Sequence, residues 1–179
     1  TVTIQISDAA PSSITYSGNP FTLTKGVAMT SVTPTAGGGT VTAWSITPLL
    51  PTGLSFDSST GAISGTPSVV TSSTAYTVTA TNAGGSTTAT ITIQVNDIAP
   101  TSIAYSPTFL TLTKGSAMNA ATPSSTGGTV TSWSISPSLP SGLSFSATTG
   151  IISGTPSAVS SATTYTVTGT NSGGGATAT

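Results

Sequence analysis

The sequence predicts an all-β protein of two tandem sandwich domains, and three observations carry that expectation. The chain repeats itself without gaps: Lys25, Met29, Trp44 and Tyr76 recur as Lys114, Met118, Trp133 and Tyr165, always 89 residues apart. That period fits a whole small domain and is too long for one turn of a solenoid. Apolar and polar residues alternate with period two, the signature of half-buried strands. Pro, Gly and Thr interrupt every window long enough for a helix, while Val, Ile and Thr favour strands.

The elements follow in order along the first repeat. Residues 21–24 form a strand that ends in a turn at Lys25-Gly26, and residues 28–33 form another, ended by Pro34. Gly37-Gly38-Gly39 reads as a flexible turn, and residues 41–47 as a third strand with Trp44 and Ile46 on one face. Leu54 and Phe56 then face alike, and residues 61–67 make a short strand leaving through a tight turn. Tyr76, Val78 and Ala80 point one way, with Thr77, Thr79 and Thr81 the other. Asn82-Ala83-Gly84-Gly85 is a turn whose residues tolerate positive φ. Residues 90–95 (TITIQV) close the domain, with Ile91, Ile93 and Val95 opposite Thr90, Thr92 and Gln94.

Residues 1–6 (TVTIQI) are a second copy of that closing strand, identical at four of six positions. Residues 1–7 are therefore a closing strand equivalent to 90–96, donated or belonging to a preceding repeat. Residues 8–96 are the first domain, and residues 97–179 are the second domain without its last strand. Asp8-Ala9-Ala10-Pro11 and Asp97-Ile98-Ala99-Pro100 mark the junctions; they are short and contain Pro, so neighbouring domains should hold a fairly fixed relation.

Composition narrows the function. Only Lys25, Lys114, Asp8, Asp57 and Asp97 carry charge, whereas there are 41 Thr and 31 Ser. Hydroxyls take the surface role that charges usually fill. A net charge of −1 leaves no basic patch for nucleic acid and no Lys/Arg cluster for acidic lipids. No apolar run is long enough for a spanning helix, so membrane insertion is not expected. Without His, Cys or Glu, only isolated Asp residues remain for acid–base chemistry, no Ser has an evident base partner, and there is no soft metal site. No enzyme and no cofactor are expected. Low net charge also favours association over free diffusion.

Two segments carry a resemblance. Residues 50–67 (LPTGLSFDSSTGAISGTP) and 139–156 (LPSGLSFSATTGIISGTP), with the closing hairpin at 76–95, resemble the immunoglobulin-like, cadherin-like tandem repeats of bacterial surface and secreted proteins. The resemblance implies immunoglobulin-like β-sandwiches, an extracellular or cell-surface location, and service as spacer, stalk or adhesive array. Calcium junctions of the cadherin kind need several carboxylates. Only Asp8 and Asp97 lie at the junctions here, so each is expected to cap a turn and no metal site is assigned.

Trp44 and Trp133, one per repeat and each alternating with an Ile, are expected in the cores. Tyr16 and Tyr105, beside the junctions, are expected to pack domain against domain. A Lys–Asn isopeptide bond from Lys25 to Asn82, or Lys114 to Asn171, is disfavoured because no Glu exists to assist it. No Asn lies in an N-glycosylation sequon.

The functional expectation rests on the strand that appears twice. Val2, Ile4 and Ile6 of one copy would be donated to the second domain of the next, beside the acceptor strand of Tyr165 and Val167 at residues 165–170. A head-to-tail contact of this kind propagates into a filament. The partners are then copies of the same chain, and the protein is a structural subunit of an extracellular filament or fibre, held by strand donation or as a covalent tandem array. The alternative is an adhesive or ligand-binding module of a large bacterial surface protein, with a glycan as its candidate ligand.

Overall fold

The computed structural model describes residues 1–179 and contains strands but no helix. The chain divides into two units, Thr1–Asn96 and Asp97–Thr179.

The first unit holds nine strands. β1 (Pro11–Thr15) pairs with β4 (Thr35–Gly38). β3 (Met29–Val32), β7 (Ile63–Gly65) and β6 (Leu54–Phe56) form a three-stranded sheet. The larger sheet runs β2 (Phe21–Thr24), β9 (Gly85–Asn96), β8 (Thr71–Asn82), β5 (Ala43–Thr47). The core lies between the sheets. β8 sends Tyr76, Val78 and Ala80 into it, β9 sends Ile91, Ile93 and Val95, β5 sends Trp44 and β7 sends Ile63. The period-two alternation of β8 and β9 therefore records which face is buried.

Two pairings could not be read from local pattern. β2 lies parallel to β9, with Phe21 opposite Ile93 and Leu23 opposite Val95. Gly37 and Gly38, expected in a flexible turn, instead end β4, where they face β1. A side chain at Gly38 would press on the Ala10 carbonyl, so glycine there is required by close approach as much as by its positive φ, whereas the place of Gly37 is held in the second unit by Thr126, whose hydroxyl bonds that of Ser102.

The second unit repeats this plan in part. β10 (Pro100–Ala104) pairs with β11 (Ser124–Gly127), and β13 (Leu143–Phe145) with β14 (Ile152–Gly154). β12 (Ser132–Ser136), β15 (Thr166–Asn171) and β16 (Gly174–Ala178) make a three-stranded sheet. Residues 110–113, the counterpart of β2, form no strand, and a single Ala121–Ile152 bridge stands where β3 pairs with β7. β15 has six residues where β8 has twelve. The missing half of the strand is residues 160–165, equivalent to residues 71–76 of the first unit. A strand without a neighbour to bond has no ladder to hold it extended.

Candidate functional site

The open end of the second unit is a groove of about 960 Å³. One wall is residues 108–112, another residues 158–165, and Ile103, Leu143, Ile152 and Val167 line it between them. In the first unit the same place is filled by the second half of β9. There Ile91, Ile93 and Val95 are fully buried, β2 lies along one side, and residues 71–77 of β8 lie along the other. The effect on the neighbours is direct. Phe21 is 7 % exposed, whereas Leu110 at the matching position is 37 % exposed. Tyr76 is buried and Tyr165 only half-buried. Val159 and Phe109 stand in solvent on the rims.

Both edges of this groove present main-chain groups that belong to no ladder. The expected acceptor needs correction here. Val167 lies on β15, and its backbone neighbours are already taken, by Ile135 on one side and Ala178 on the other. Its side chain lines the groove, but its backbone lies off the open edge. Tyr165 lies just before β15 and does belong to the open edge, which runs over residues 160–165 instead of 165–170.

Residues 1–6 pair with nothing. Val2, Ile4 and Ile6, the expected donor residues, are 87 %, 80 % and 92 % exposed, and the segment forms no strand. Three β-branched aliphatic side chains at alternate positions are thus held in water, whereas their equivalents in β9 are in the core. The carbonyls of Asp8 and Ala9 lie against Gly84 and Gly39 so closely that neither position has room for a side chain.

The remaining candidates lie within their own units. Trp44 and Trp133 are each 8 % exposed. Each packs on a glycine with positive φ, Gly61 or Gly150, where an added Cβ would come within 2.8 Å of the indole. Tyr16 and Tyr105 bond within the units that hold them. Their hydroxyls donate to the carbonyls of Gly61 (2.6 Å) and Gly150, pinning the loop that carries the tryptophan contact. Burial pushes the Tyr16 phenol up to about 12 and raises that of Tyr105 in the same direction.

Asn82 was legible only as a turn residue, yet no non-glycine residue here has positive φ. Its role is different. The Asn82 amide donates to the carbonyls of Ala9 (2.6 Å) and Thr40 (3.0 Å) while its oxygen accepts from Gly84 N–H (2.9 Å). Asn171 makes the same three bonds to Ile98, Thr129 and Gly173. The carboxamide is a staple between three backbone segments, with no isopeptide geometry about it. Its recurrence in both repeats was the available signal.

The carboxylates are dispersed and form no cluster of three or more metal-ligating side chains. Asp57 accepts from the Ser59 hydroxyl and N–H and from Thr60 N–H, an Asx turn. The Ser59 hydroxyl bond in particular holds its carboxyl below the usual range. Ser146 makes the equivalent bonds to Thr148 and Thr149. Asp97 accepts from Ile98 N–H at its junction. Lys25 and Lys114 are exposed in their turns.

Comparison with known proteins gives a consistent picture. The model of a family described as Putative Ig domain matches residues 1–96 and 100–179. The chain is 37 % identical over 157 residues to a Staphylococcus aureus protein described as "Serine-rich adhesin for platelets", covering 83 % of this chain and 6 % of that protein. The same adhesin from strain MRSA252 is 36 % identical over 157 residues, covering 83 % of this chain and 11 % of its length. The chain therefore spans a small fraction of the curated relatives it matches. Among solved structures, the N-terminal four Ig domains of Dscam1 isoform 9.44 match 97 % of this chain and 45 % of that one, at TM-score 0.51 and 15 % identity. The N-terminal eight Ig domains of DSCAM isoform 1.30.30 match 97 % of this chain and 23 % of that one, at TM-score 0.50 and 19 % identity. These similarities establish the immunoglobulin-like fold alone.

Proposed function

The chain belongs to the Putative Ig domain family, and on that footing we propose that it is a non-catalytic, adhesin-type module of a large extracellular surface protein. The observation that carries this reading is the match over 83 % of the chain to a Staphylococcus aureus adhesin, in which comparable sequence occupies 6 % of the length. The physical features are compatible with it. The cores need neither disulfide nor metal, and the surface is covered by hydroxyls, whose side chains neither titrate nor depend on ionic strength. Contact with a ligand would then come from exposed loops. The side chain best placed for it is Phe109, the exposed aromatic. Labelled chain applied to platelets and to a glycan array should bind saturably, and Phe109→Ala should remove the binding. Absence of saturable binding on both would contradict an adhesive role.

A second reading is favoured by a separate observation. The chain repeats one sandwich domain at a period of 89 residues, which supports a place in an extracellular thread of such domains. The mass of native material after denaturation in guanidinium separates the forms of that reading. A single species near 17.2 kDa supports separate subunits joined end to end. One very large chain supports a covalent array of repeats.

A further inference from the structure

We propose that the first unit is a direction-dependent mechanical clamp, strong against tension carried along the chain from Asp8 to Asn96 and weak against tension applied across one of its ends, with Asn19 as a side-chain latch. This rests on the reading of the chain as part of a large surface protein, in which any pull on the protein passes through each domain in its path.

The places where the chain enters and leaves the unit decide how it meets a load. Entry is at the turn between β8 and β9. There the Asn82 amide holds the Ala9 carbonyl (2.6 Å), Gly39 N–H donates to the Ala10 carbonyl (3.0 Å), and the Asp8 carbonyl lies against Gly84. Exit is at Asn96, the far end of β9. A strand from Gly85 to Asn96 spans about 36 Å at the usual rise per residue. Tension between entry and exit therefore runs along the strands.

Strands loaded along their length shear. β2 lies parallel to β9, with Phe21, Thr22, Leu23 and Thr24 beside Ile93, Gln94, Val95 and Asn96. Tension pulls the start of β2 back towards Asp8 and the end of β9 forward, so the ladder must slip as a whole. Lys25 N–H donates to the Asn96 carbonyl (2.8 Å) and shares that load. Slip also draws Phe21 out of the core, which exposes apolar surface. Asn19 lengthens the sheared contact. Its carboxamide oxygen accepts from Thr92 N–H (2.9 Å), and its amide donates to the Thr90 carbonyl (3.3 Å). A side chain thus stands in for a strand residue on the edge of β9, just ahead of β2. Asn19 is exposed, so water can replace both bonds once the unit unfolds or the side chain is removed, and they add little at equilibrium. Under shear they must break in the same displacement as the ladder.

The same ladder is weak in another direction. Val27 and Ile98 follow the adjoining ends of β2 and β9, and both are exposed. Force between them opens the ladder from that end, one bond after another. Bonds loaded in turn yield at lower force than bonds loaded together.

The chain has no cysteine, so pulling handles can be attached at introduced ones. In single-molecule pulling on the full chain, Ser7→Cys with Ile98→Cys applies tension along the first unit and leaves the second unit outside the load. Val27→Cys with Ile98→Cys applies it across the end. At one pulling speed the first pair should unfold at several-fold higher force than the second. Asn19→Ala should lower the force for the first pair, leave it unchanged for the second, and leave the urea midpoint near its original value. Equal forces for the two pairs overturn the clamp. A force that Asn19→Ala does not move in the first pair, or that falls in both pairs together with the urea midpoint, overturns the latch. Platelet and glycan binding are read separately, so a failure of the adhesive reading and a failure of the clamp show in different measurements.

Discussion

The two units are built from nearly the same sequence, and they differ most where one neighbouring strand is present or absent. Around the motif at residues 50–67 and 139–156 they agree closely. Trp44 and Trp133 are buried alike, Tyr16 and Tyr105 bond equivalent carbonyls, and the Asn82 and Asn171 staples match bond for bond. At the other end they part. In the first unit the second half of β9 gives β8 and β2 their partners and covers Ile63 completely. In the second unit residues 160–165 and 110–113 form no strand, and Ile152 borders the groove. Residues 160–165 keep the Thr and Tyr of their equivalents, so local propensity is not what changed. The lesson is that strand formation at this edge is set by the neighbour more than by the strand's own sequence.

The largest expected effects lie where the units agree. Trp44→Ala and Trp133→Ala should each cost about 3–5 kcal/mol in their own unit and by similar amounts. Peptide-resolved hydrogen exchange under increasing urea measures each unit separately. A much smaller cost for Trp133 would mean that the difference spreads through the whole second unit.

Ile63→Ala and Ile152→Ala should separate the units. Both fall within the range of about 2–5 kcal/mol for large-to-small core changes, with Ile63 toward the top and Ile152 toward the bottom. Ile63 has a filled core around it that cannot collapse, while Ile152 already faces an open groove. Urea unfolding followed through the single tryptophan of each unit provides the comparison.

Asn82→Ala should cost about 1–3 kcal/mol, because it leaves the Ala9 and Thr40 carbonyls without their donor in a buried setting. Asn171→Ala breaks the same bonds in a more exposed setting, where water can replace them, so the same unfolding experiment should show a smaller loss.

The smallest effect is alkaline. Tyr16 is held neutral in the folded state, with its phenol raised from 10.0 to about 12. A raised group contributes stability that is fully present below its unfolded value. That contribution is lost as pH climbs from about 10 through 12. The first unit should weaken over that window in a pH series of melting temperatures, and Tyr16→Phe should flatten the decline.

Much of this architecture was legible from residues alone, and the reasons are local. Period-two alternation marked β8, β9 and the inward faces of Trp44 and Ile46, because burial of one face leaves that trace in every strand. The 89-residue period separated the two units. What local pattern could not carry was pairing between distant segments. The parallel β2–β9 ladder leaves no periodic sign. Gly37 and Gly38 looked like a turn because glycine serves close approach and turning equally well. Asn82 and Asn171 looked like turn residues because an amide that bridges three backbone segments has no nearby sequence mark. The hydroxyl partners of Tyr16 and Tyr105 lie 45 residues away, where local pattern gives no sign of them. The open edge lies at residues 160–165 and not at 165–170, because β16 takes the backbone of residues 167–171.

Peptide-resolved hydrogen exchange of the dilute chain, with and without the synthetic peptide TVTIQISD, tests the account most directly. Alone, residues 71–77 should be protected and residues 160–166 should exchange quickly. On adding the peptide, residues 160–166 and 110–113 should become protected together, while residues 71–77 stay unchanged. Protection of residues 160–166 equal to that of 71–77 before any peptide is added, or no gain after it, would contradict the claim that a missing neighbour is what divides the two units.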